Sequence, residues 1–440
     1  MKLKGWGGYP EQDASIKTPK EIKEILEIIS QGNLIARGNG RSYGDSSINR
    51  KNTVSMKNFN KIIFFNNSNG ELIAEAGVML EDVIKTFLPN GWFPFVTPGS
   101  KFVTLGGMFA ADVHGKNHHK EGNFSKYVNW IEIISEDGNV KKCSRTENSE
   151  LFYWSIGGMG LTGIITKLSI TLRKVETSWI KQKIMVASNL DEAIDMFETN
   201  MKYTYSVAWI DCIAKKTGNG RSLIYLGEHA KLSDLDKKKI KSPLKIKKKL
   251  KIPIPFYLPN WLMSENLIGI FNDIFYFFGK NKKTTSLIDW DSFFYPLDSI
   301  DNWNKIYGKK GFMQFQCVLP INQSRQGLNA IIDCLSKYKT SSFLSVLKRF
   351  GKDESNFSFP MEGYTLALDF PVNNKTLKLA DELDKITLRH EGRFYLAKDS
   401  RMSSETFKQS DQRIEKFIYF RKKQNLIKIF NSSQSNRLKI

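Results

Sequence analysis

The chain has 440 residues, of which 41% are hydrophobic and 12% aromatic, so it can bury a large interior, and its length favours two domains. No apolar run reaches the ~20 residues of a transmembrane helix. The N-terminus lacks the apolar region of a signal peptide, and the four cysteines show no C-x-x-C pair. These features exclude a membrane-spanning or disulfide-framed protein and favour the cytoplasm.

The first part of the chain predicts short helices between short strands. Apolar spacing predicts a helix over residues 19–29, with Thr18 as its N-cap, and a second helix over residues 80–88. Asp137-Gly138 predicts the turn of a β-hairpin. The predicted strands cover residues 34–37, 62–65, 72–76, 128–134, 139–142 and 164–172. This mixture predicts an α+β domain over residues 1–177.

Residues 178–393 have a different character, with longer strand candidates and many aromatic residues. We expect a second domain here, built on an antiparallel sheet flanked by helices.

The net charge of +21 is uneven along the chain. Residues 231–251 hold ten lysines against two aspartates, and the apolar, proline-rich segment 252–261 follows. This composition is typical of a surface that meets an anionic bilayer, although a solvated loop or a nucleic-acid contact has a similar composition. We predict membrane contact without nucleic-acid binding, and weaker binding to anionic vesicles after charge reversal at Lys247, Lys248 and Lys249.

Two glycine-bearing stretches are the most informative part of the sequence. The first is residues 37–45 (RGNGRSYGD), and the second runs through residues 98–119, including TLGG and DVHGKNHH. Clustered glycines adopt positive φ easily and bring backbone N–H groups close to a bound anion. Two such loops that converge in space predict a pyrophosphate site.

Neither loop fits the common nucleotide motifs. Tyr43 stands where the dinucleotide fingerprint starting at Gly38 requires glycine. The G-x-G-x-x-G match at residues 158–163 precedes a β-branched strand instead of the helix of a Rossmann site. Ala110 and Asn117 occupy positions where a P-loop needs glycine and Ser/Thr. The loops therefore belong to another nucleotide fold.

The loops resemble the PCMH-type flavin-binding domain of the vanillyl-alcohol-oxidase group, which includes alditol and aldonolactone oxidases. The resemblance is closer to the decaprenylphosphoryl-ribose oxidase family and extends nearly end to end. It is carried by residues 37–45, 112–119, 157–165, 203–209, 311–316, 359–360 and 397–401.

The resemblance implies FAD-dependent oxidation of the 2′-hydroxyl of a polyprenyl-phosphate pentose to the 2′-keto sugar. A separate short-chain reductase would complete the epimerisation, which serves arabinan synthesis for the cell envelope. The resemblance also implies that residues 178–393 form a substrate-binding cap and that residues 394–440 return to the FAD domain. The expected location is the cytoplasmic side of the inner membrane, in peripheral contact with it.

Flavin should be bound non-covalently, because Tyr43 replaces the histidine that links the flavin in several relatives. The FAD-binding residues implied by the resemblance are Ile35, Ala36, Arg37, Gly38, Asn39, Gly40, Arg41, Ser42, Tyr43, Gly44, Asp45, Gly99, Thr104, Leu105, Gly106, Gly107, Ala111, Asp112, Val113, His114, Ile165 and Tyr395.

Lys398 is the main catalytic candidate. A partly buried lysine can stabilise the negative charge of a reduced flavin, or can accept the hydroxyl proton if burial lowers its pKa. The plain alternative is a lysine paired with Asp399. The resemblance places His114 beside the flavin and the substrate hydroxyl, and it implies a substrate-binding set of Trp209, Gln314, Gln316, Lys348 and Lys398.

Two further features qualify this interpretation. His114 and His118 have the i, i+4 spacing of a zinc pair, but Gly115 and Asn117 disfavour the helix that this requires, so we expect no metal.

Ala367 stands where the family has a pocket cysteine, which should alter substrate fit. A soluble alditol or aldonolactone oxidase and a non-catalytic basic protein remain alternatives.

Overall fold

The computed structural model describes residues 1–213, 219–247, 249–340, 342–353 and 355–440. The α-helices are α1 (Ile22–Ser30), α2 (Leu80–Phe87), α3 (Leu105–Ala110), α4 (His118–Glu121), α5 (Ser149–Ser155), α6 (Leu190–Thr199), α7 (Glu265–Lys280), α8 (Trp290–Phe294), α9 (Ile321–Lys337), α10 (Asn374–Arg389), α11 (Ser404–Ser410), α12 (Arg413–Lys423) and α13 (Ser433–Leu438).

The strands are β1 (Lys2–Leu3), β2 (Gln12–Asp13), β3 (Ile16–Lys17), β4 (Leu34–Arg37), β5 (Asn52–Ser55), β6 (Ile62–Phe65), β7 (Glu71–Glu75), β8 (Trp92–Pro94), β9 (Val128–Ile134), β10 (Val140–Ser144), β11 (Ile164–Lys174), β12 (Trp179–Ala187), β13 (Tyr205–Ile210), β14 (Ser222–His229), β15 (Ile252–Pro253), β16 (Thr285–Asp289), β17 (Ile300–Asp301), β18 (Phe312–Pro320), β19 (Ser345–Phe350), β20 (Gly363–Pro371) and β21 (Arg393–Phe394).

The first sheet is small and parallel, with the order β3-β5-β4. Its β4 strand is apolar at Leu34 and Ile35, which are fully buried. The chain end returns to this strand: the N–H of Leu34 donates to the carbonyl of Ile429, and the N–H of Asn431 donates to the carbonyl of Leu34, both at 2.8 Å. Residues near the C-terminus therefore help to hold the strand that precedes the first glycine loop.

The second sheet has the order β10-β9-β11-β7-β6, with β8 also paired to β11. Strands β9 and β10 form an antiparallel hairpin in which Val140 pairs with Ile134. Gly138 takes φ = 76° in the turn, which a residue with a side chain rarely adopts. The predicted Asp137-Gly138 hairpin is confirmed.

The third sheet has eight antiparallel strands in the order β16-β12-β14-β13-β19-β20-β18-β21. Along its central strands, residues that face the apolar core alternate with residues that face a cavity, because successive side chains of a strand point to opposite faces. Phe315, Cys317, Leu366 and Leu368 are buried with the apolar residues of α9 and α10. The alternate positions face a cavity and include Val207, Trp209, Gln314, Gln316, Val346, Lys348, Thr365 and Ala367.

The predicted α+β class is confirmed, and the predicted N-cap of the first helix is wrong. Helix α1 begins at Ile22 after Glu21, whose side chain makes no capping bond. The N–H of Lys20 instead donates to Glu24 Oε2 at 2.9 Å, so a carboxylate within the helix, and not Thr18, accepts from a backbone N–H at the start of the helix.

The domain limits after residues 177 and 393 stay predictions. Among the described residues, no helix is long and apolar enough to cross a bilayer.

Candidate active site

A cavity of about 790 Å³ lies between the glycine loops and the inner face of the eight-stranded sheet. Its volume falls within the ~300–1,000 Å³ of typical cofactor and ligand sites. One end is lined by residues 38–43, 97–100, 103–104 and 106–107, and the other by β13, β18, β19 and β20. The arrangement can hold a cofactor at the loops and a second ligand against the sheet.

The two glycine loops meet at this cavity. A Cβ on Gly38 would lie 2.2 Å from Thr104 Oγ1, and one on Gly106 would lie 2.7 Å from the Cβ of Ala76, so both positions need glycine for this close packing. The backbone N–H groups of residues 38–42 donate no hydrogen bond to any described residue, although all five residues line the cavity. A row of unpaired donors in a glycine cradle fits an anion such as the pyrophosphate of FAD.

Most of the predicted FAD-binding residues line the cavity, and six do not. The six that lie off the cavity are Ile35, Arg37, Gly44, Asp45, Leu105 and Asp112. Those on the cavity are Ala36, Gly38, Asn39, Gly40, Arg41, Ser42, Tyr43, Gly99, Thr104, Gly106, Gly107, Ala111, Val113, His114, Ile165 and Tyr395.

The two arginines of the first loop have different roles. The guanidinium of Arg37 donates to the carbonyl of Lys4 at 2.8 Å and to Ser47 Oγ at 3.1 Å, so it braces the loop from behind. Arg41 lines the cavity, and its guanidinium lies 4.0 Å from the ring centre of Trp6. Arg41 is therefore the arginine available to neutralise a bound phosphate.

The plain explanation of Lys398, a salt bridge to Asp399, does not hold. Asp399 Oδ2 accepts from Arg437 Nη2 at 2.9 Å, and the same guanidinium nitrogen donates to Asp45 Oδ1 at 2.8 Å. The N–H of Tyr43 donates to the carbonyl of Ala397 at 2.9 Å. Arg437 and this backbone bond thus join the Lys398 segment to the first loop, and Asp399 is already occupied.

Lys398 lies instead among buried polar groups on the cavity. Its Nζ is 3.8 Å from the ring centre of Tyr43, whose hydroxyl accepts from Gln314 Nε2 at 3.5 Å. Gln314 and the Tyr307 hydroxyl both donate to the carboxylate of Asp369. Burial lowers the pKa of Lys398, and the charge of Asp369 opposes that shift. Burial also raises the pKa of Asp369. The surroundings therefore favour the neutral amine more than water does.

His114 is buried in surroundings that favour the neutral imidazole. Burial, followed by the charge of Lys348, lowers its pKa well below the usual value. Gln316 Nε2 lies 3.3 Å from His114 Nε2 and donates to Thr365 Oγ1 at 3.2 Å, while the Thr365 hydroxyl donates to the carbonyl of Cys317. This chain of donors makes Nε2 the acceptor and places the proton on Nδ1, which has no partner among the described residues. The Nδ1 atom is itself closed off from solvent, so this unpaired N–H is a buried donor without a partner beside the cavity.

Three partly buried lysines from distant parts of the chain line the same cavity, Lys116, Lys348 and Lys398, and the exposed Lys282 lines it as well. Burial lowers the pKa of Lys348 to about 8 and that of Lys116 to about 7, with the charge of Lys348 contributing to the second shift. The Lys116 ammonium donates to the carbonyl of Phe293. Sequence reasoning did not assign Lys116 to the site, although it directly follows Gly115 in the second glycine loop.

The predicted substrate residues are brought together. Trp209, Gln314, Gln316, Lys348 and Lys398 all line the cavity, on different strands and on the segment after β21. Ala367 also lines it, opposite Gln316 on β18 and Val346 on β19. The cavity therefore offers an aromatic face, amide groups and cationic groups to a sugar phosphate.

Comparisons with known proteins agree with this geometry. Residues 10–144 match the family described as FAD binding domain. The chain is 34% identical over 456 residues to the decaprenylphosphoryl-β-D-ribose oxidase of Mycolicibacterium smegmatis, covering 100% of this chain and 97% of that protein. It is 24% identical over 208 residues to the L-gulonolactone oxidase of Bos taurus, covering 46% of each. The chain belongs to the decaprenylphosphoryl-β-D-ribose oxidase family and is an FAD-dependent oxidoreductase.

Proposed function

We propose that this protein oxidises the 2′-hydroxyl of a polyprenyl-phosphate pentose, such as decaprenylphosphoryl ribose, to the 2′-keto sugar. The observation that carries the proposal is the joining of an anion cradle at residues 38–42 to a cavity lined by three partly buried lysines, Lys116, Lys348 and Lys398. A substrate that bears both hydroxyls and a phosphate matches those groups. The name of the full-length Mycolicibacterium relative supports the same substrate class.

Residues on the cavity have different roles in the proposed reaction. FAD would be held by the loops around residues 38–43 and 104–107, and it would supply the hydride acceptor for oxidation of the carbinol carbon. Lys398, in its neutral form, accepts the hydroxyl proton, and the resulting ammonium then balances the negative charge created by reduction. His114 lies beside the sugar hydroxyl, and Lys348 and Lys116 hold the phosphate.

Anaerobic bleaching of the flavin tests this function. Ribose linked through phosphate to a polyprenyl chain should bleach the flavin, whereas free alditols and aldonolactones should leave it oxidised. Bleaching by the lactones with no response to the phosphorylated lipid would overturn the proposal in favour of a soluble sugar oxidase. A protein that is colourless and takes up no FAD would contradict the enzyme class itself.

The Asp369→Asn variant tests the role of the Lys398 surroundings. If neutral Lys398 is the base, flavin reduction accelerates as pH rises through the pKa of Lys398. The negative charge of Asp369 raises that pKa, so its removal should move the acidic limb of the pH profile to lower pH. Stopped-flow reduction between pH 5 and 9 measures the shift. Tyr307→Phe, which removes one hydrogen bond to Asp369 and keeps the charge, should move the limb less.

FAD should be held without a covalent bond. The position of the linking histidine in relatives is taken by Tyr43, a buried phenol bonded to Gln314. Acid precipitation of the holoprotein should therefore release the flavin into the supernatant, as measured by its absorbance. Flavin that remains in the pellet would show attachment at another residue.

The chain is divided into a two-part FAD domain (residues 1–177), a cap (residues 178–393) and a returning segment (residues 394–440). A separate short-chain reductase consumes the keto sugar. The cytoplasmic face of an anionic membrane supplies the lipid-linked substrate. Binding of purified reductase in pull-down experiments tests that partnership.

Residues 231–251, the basic block, contribute to membrane contact through their exposed lysines. Lys249 is a poor choice for charge reversal, because its ammonium bonds Asp289 and Ser292 at 2.5 Å. Lys248 lies outside the described residues. Charge reversal at the exposed Lys237, Lys238 and Lys241 should instead weaken binding to anionic vesicles by about 1 kcal/mol per charge, with the loss shrinking at high salt. Unchanged sedimentation with such vesicles would leave the block as a solvated loop.

A further inference from the structure

Helix α7 exposes several large apolar side chains to solvent and buries a polar one. Asn272, only 2% exposed, faces inward and donates to Asp211 Oδ1 at 2.7 Å. Gly279 also faces inward, where a Cβ would lie 2.1 Å from Leu223 Cδ1, so the helix sits tightly on β14. Phe277 and Phe278 point outward and are 62% and 63% exposed. A helix that is apolar on its outer side is typical of contact with a nonaqueous surface.

The exposed apolar surface is concentrated around this helix. Of the twenty-one large hydrophobic side chains exposed in the described part of the chain, twelve lie between residues 240 and 278. We call the outward set Ile270, Ile274, Phe277 and Phe278 the α7 face. Trp261 and Tyr257, residue types that favour the membrane–water interface, are exposed in the segment just before the helix.

Charge around the α7 face favours an anionic lipid surface over a protein. Lys280, Lys282 and Lys283 are exposed at the C-terminal end of the helix. The acidic Asp273 on the helix is paired with Arg221 at 2.6 Å. A symmetric dimer would place the same patch of each copy face to face and would bring these lysines together, which is unfavourable. Apolar side chains bordered by lysines and interfacial aromatics match a bilayer with acidic headgroups.

An aromatic wall connects this surface with the site. Phe271, exposed on α7, stacks with Phe275 at 5.8 Å and contacts Phe343 at 4.8 Å. Phe275 lies 4.9 Å from Trp209, and all four rings line the cavity. Trp209 pairs with Val346 on β19, two residues before Lys348. The wall therefore runs from the exterior to a cationic group suited to phosphate.

We propose that the α7 face inserts into an anionic bilayer and that the aromatic wall guides the prenyl chain of the substrate from that bilayer to the cavity. The passage rests on the proposed function, because it assumes a substrate with a prenyl chain. Insertion of the α7 face does not depend on the identity of the sugar. The lysines at the helix end contribute the salt-sensitive part of binding, and the phenylalanines contribute the salt-insensitive part.

The test uses the holoprotein carrying Ile274→Ser, Phe277→Ser and Phe278→Ser, none of which lines the cavity. Sedimentation with phosphatidylglycerol–phosphatidylcholine vesicles should show at least tenfold weaker binding at both low and high salt. The matched control, Ile62→Ser, Ile63→Ser and Phe64→Ser on β6, removes three exposed apolar side chains elsewhere and should bind as the wild type does. Retained flavin absorbance shows that both variants are folded.

The rate of flavin reduction distinguishes passage of the prenyl chain along the aromatic wall from insertion of the α7 face into the bilayer. A pentose phosphate with a short, water-soluble prenyl chain should reduce the flavin of the wild type and of the α7 variant at equal rates. A long-chain substrate embedded in vesicles should reduce the flavin of the variant at least tenfold more slowly than that of the wild type. Wild-type vesicle binding by the variant would overturn the inference. Loss of a self-associated species with unchanged vesicle binding would also overturn it, since the face would then belong to a second copy.

Failure of the proposed function gives a different result. If no prenyl-phosphate pentose reduces the wild-type flavin in any form, the proposed substrate and the passage are both refuted. The vesicle measurement still decides the α7 face in that case.

Discussion

Replacement of Lys398 by alanine is expected to leave the fold and bound FAD intact, while slowing flavin reduction by substrate about 10²–10⁴-fold. Lys398 lies on the cavity beside Tyr43, and its amine is free of the salt bridge to Asp399 that would explain it structurally. Burial keeps the pKa of this lysine below its usual value, which makes it an effective proton acceptor. Anaerobic stopped-flow reduction measures the rate, and the flavin spectrum reports retention of the cofactor.

Lys398→Arg is the informative companion variant. Arginine preserves a positive charge, but its planar guanidinium is larger and does not give up its proton at ordinary pH. It should recover little of the lost rate if Lys398 is the base. Near wild-type reduction in Lys398→Ala would exclude the role and would make His114 the next residue to replace.

Replacement of Gly44 by alanine should weaken FAD binding strongly without touching a cavity-lining residue. A Cβ at this position would lie 2.2 Å from the carbonyl oxygen of Asp399 and 2.7 Å from the Cα of Ser400. Both are backbone atoms, so the first loop and the Lys398 segment must move apart. Overpacking of this kind costs about 1–3 kcal/mol. Expressed through the cofactor, that cost corresponds to about 5- to 150-fold weaker binding.

Gly269→Ala is the matched control for this experiment. Gly269 lies on α7 and does not line the cavity, and a Cβ there would lie 3.7 Å from Ile213 Cδ1, an ordinary van der Waals contact. FAD titration of the two apoproteins, followed by flavin fluorescence, should show near wild-type affinity for Gly269→Ala and weak affinity for Gly44→Ala. Equal affinities in both variants would show that the packing of the two segments does not shape the cofactor site.

Much of the local structure was predictable because it depends on neighbours in sequence. The strands at 34–37 and 62–65 occur where the apolar runs placed them, and the second helix ends at Phe87, one residue before its predicted limit. Gly138 takes the positive φ that the hairpin turn needs. The first helix start was not predictable from Thr18, since a carboxylate inside the helix, on Glu24, competes successfully for the entrance N–H.

The site was predictable in type and only partly in detail. Glycine spacing identified the loops, but it could not show that Arg37 turns away from the cavity towards Lys4 and Ser47. The sequence also left Lys398 and Asp399 as adjacent opposite charges. Arg437, near the end of the chain, donates to the carboxylate of Asp399, and nothing in the sequence around Asp399 indicates this partner.

The sequence by itself determined an α+β protein, two glycine loops and a family resemblance that the full-length match confirms. Only the tertiary structure decided that Lys116 joins Lys348 and Lys398 on one cavity, and that α7 keeps Asn272 inside while Phe277 and Phe278 face outward. The physical reason is the range of the interactions involved. Turns and helix periods depend on residues a few positions apart, whereas burial and pKa depend on charges and side chains that distant strands bring together.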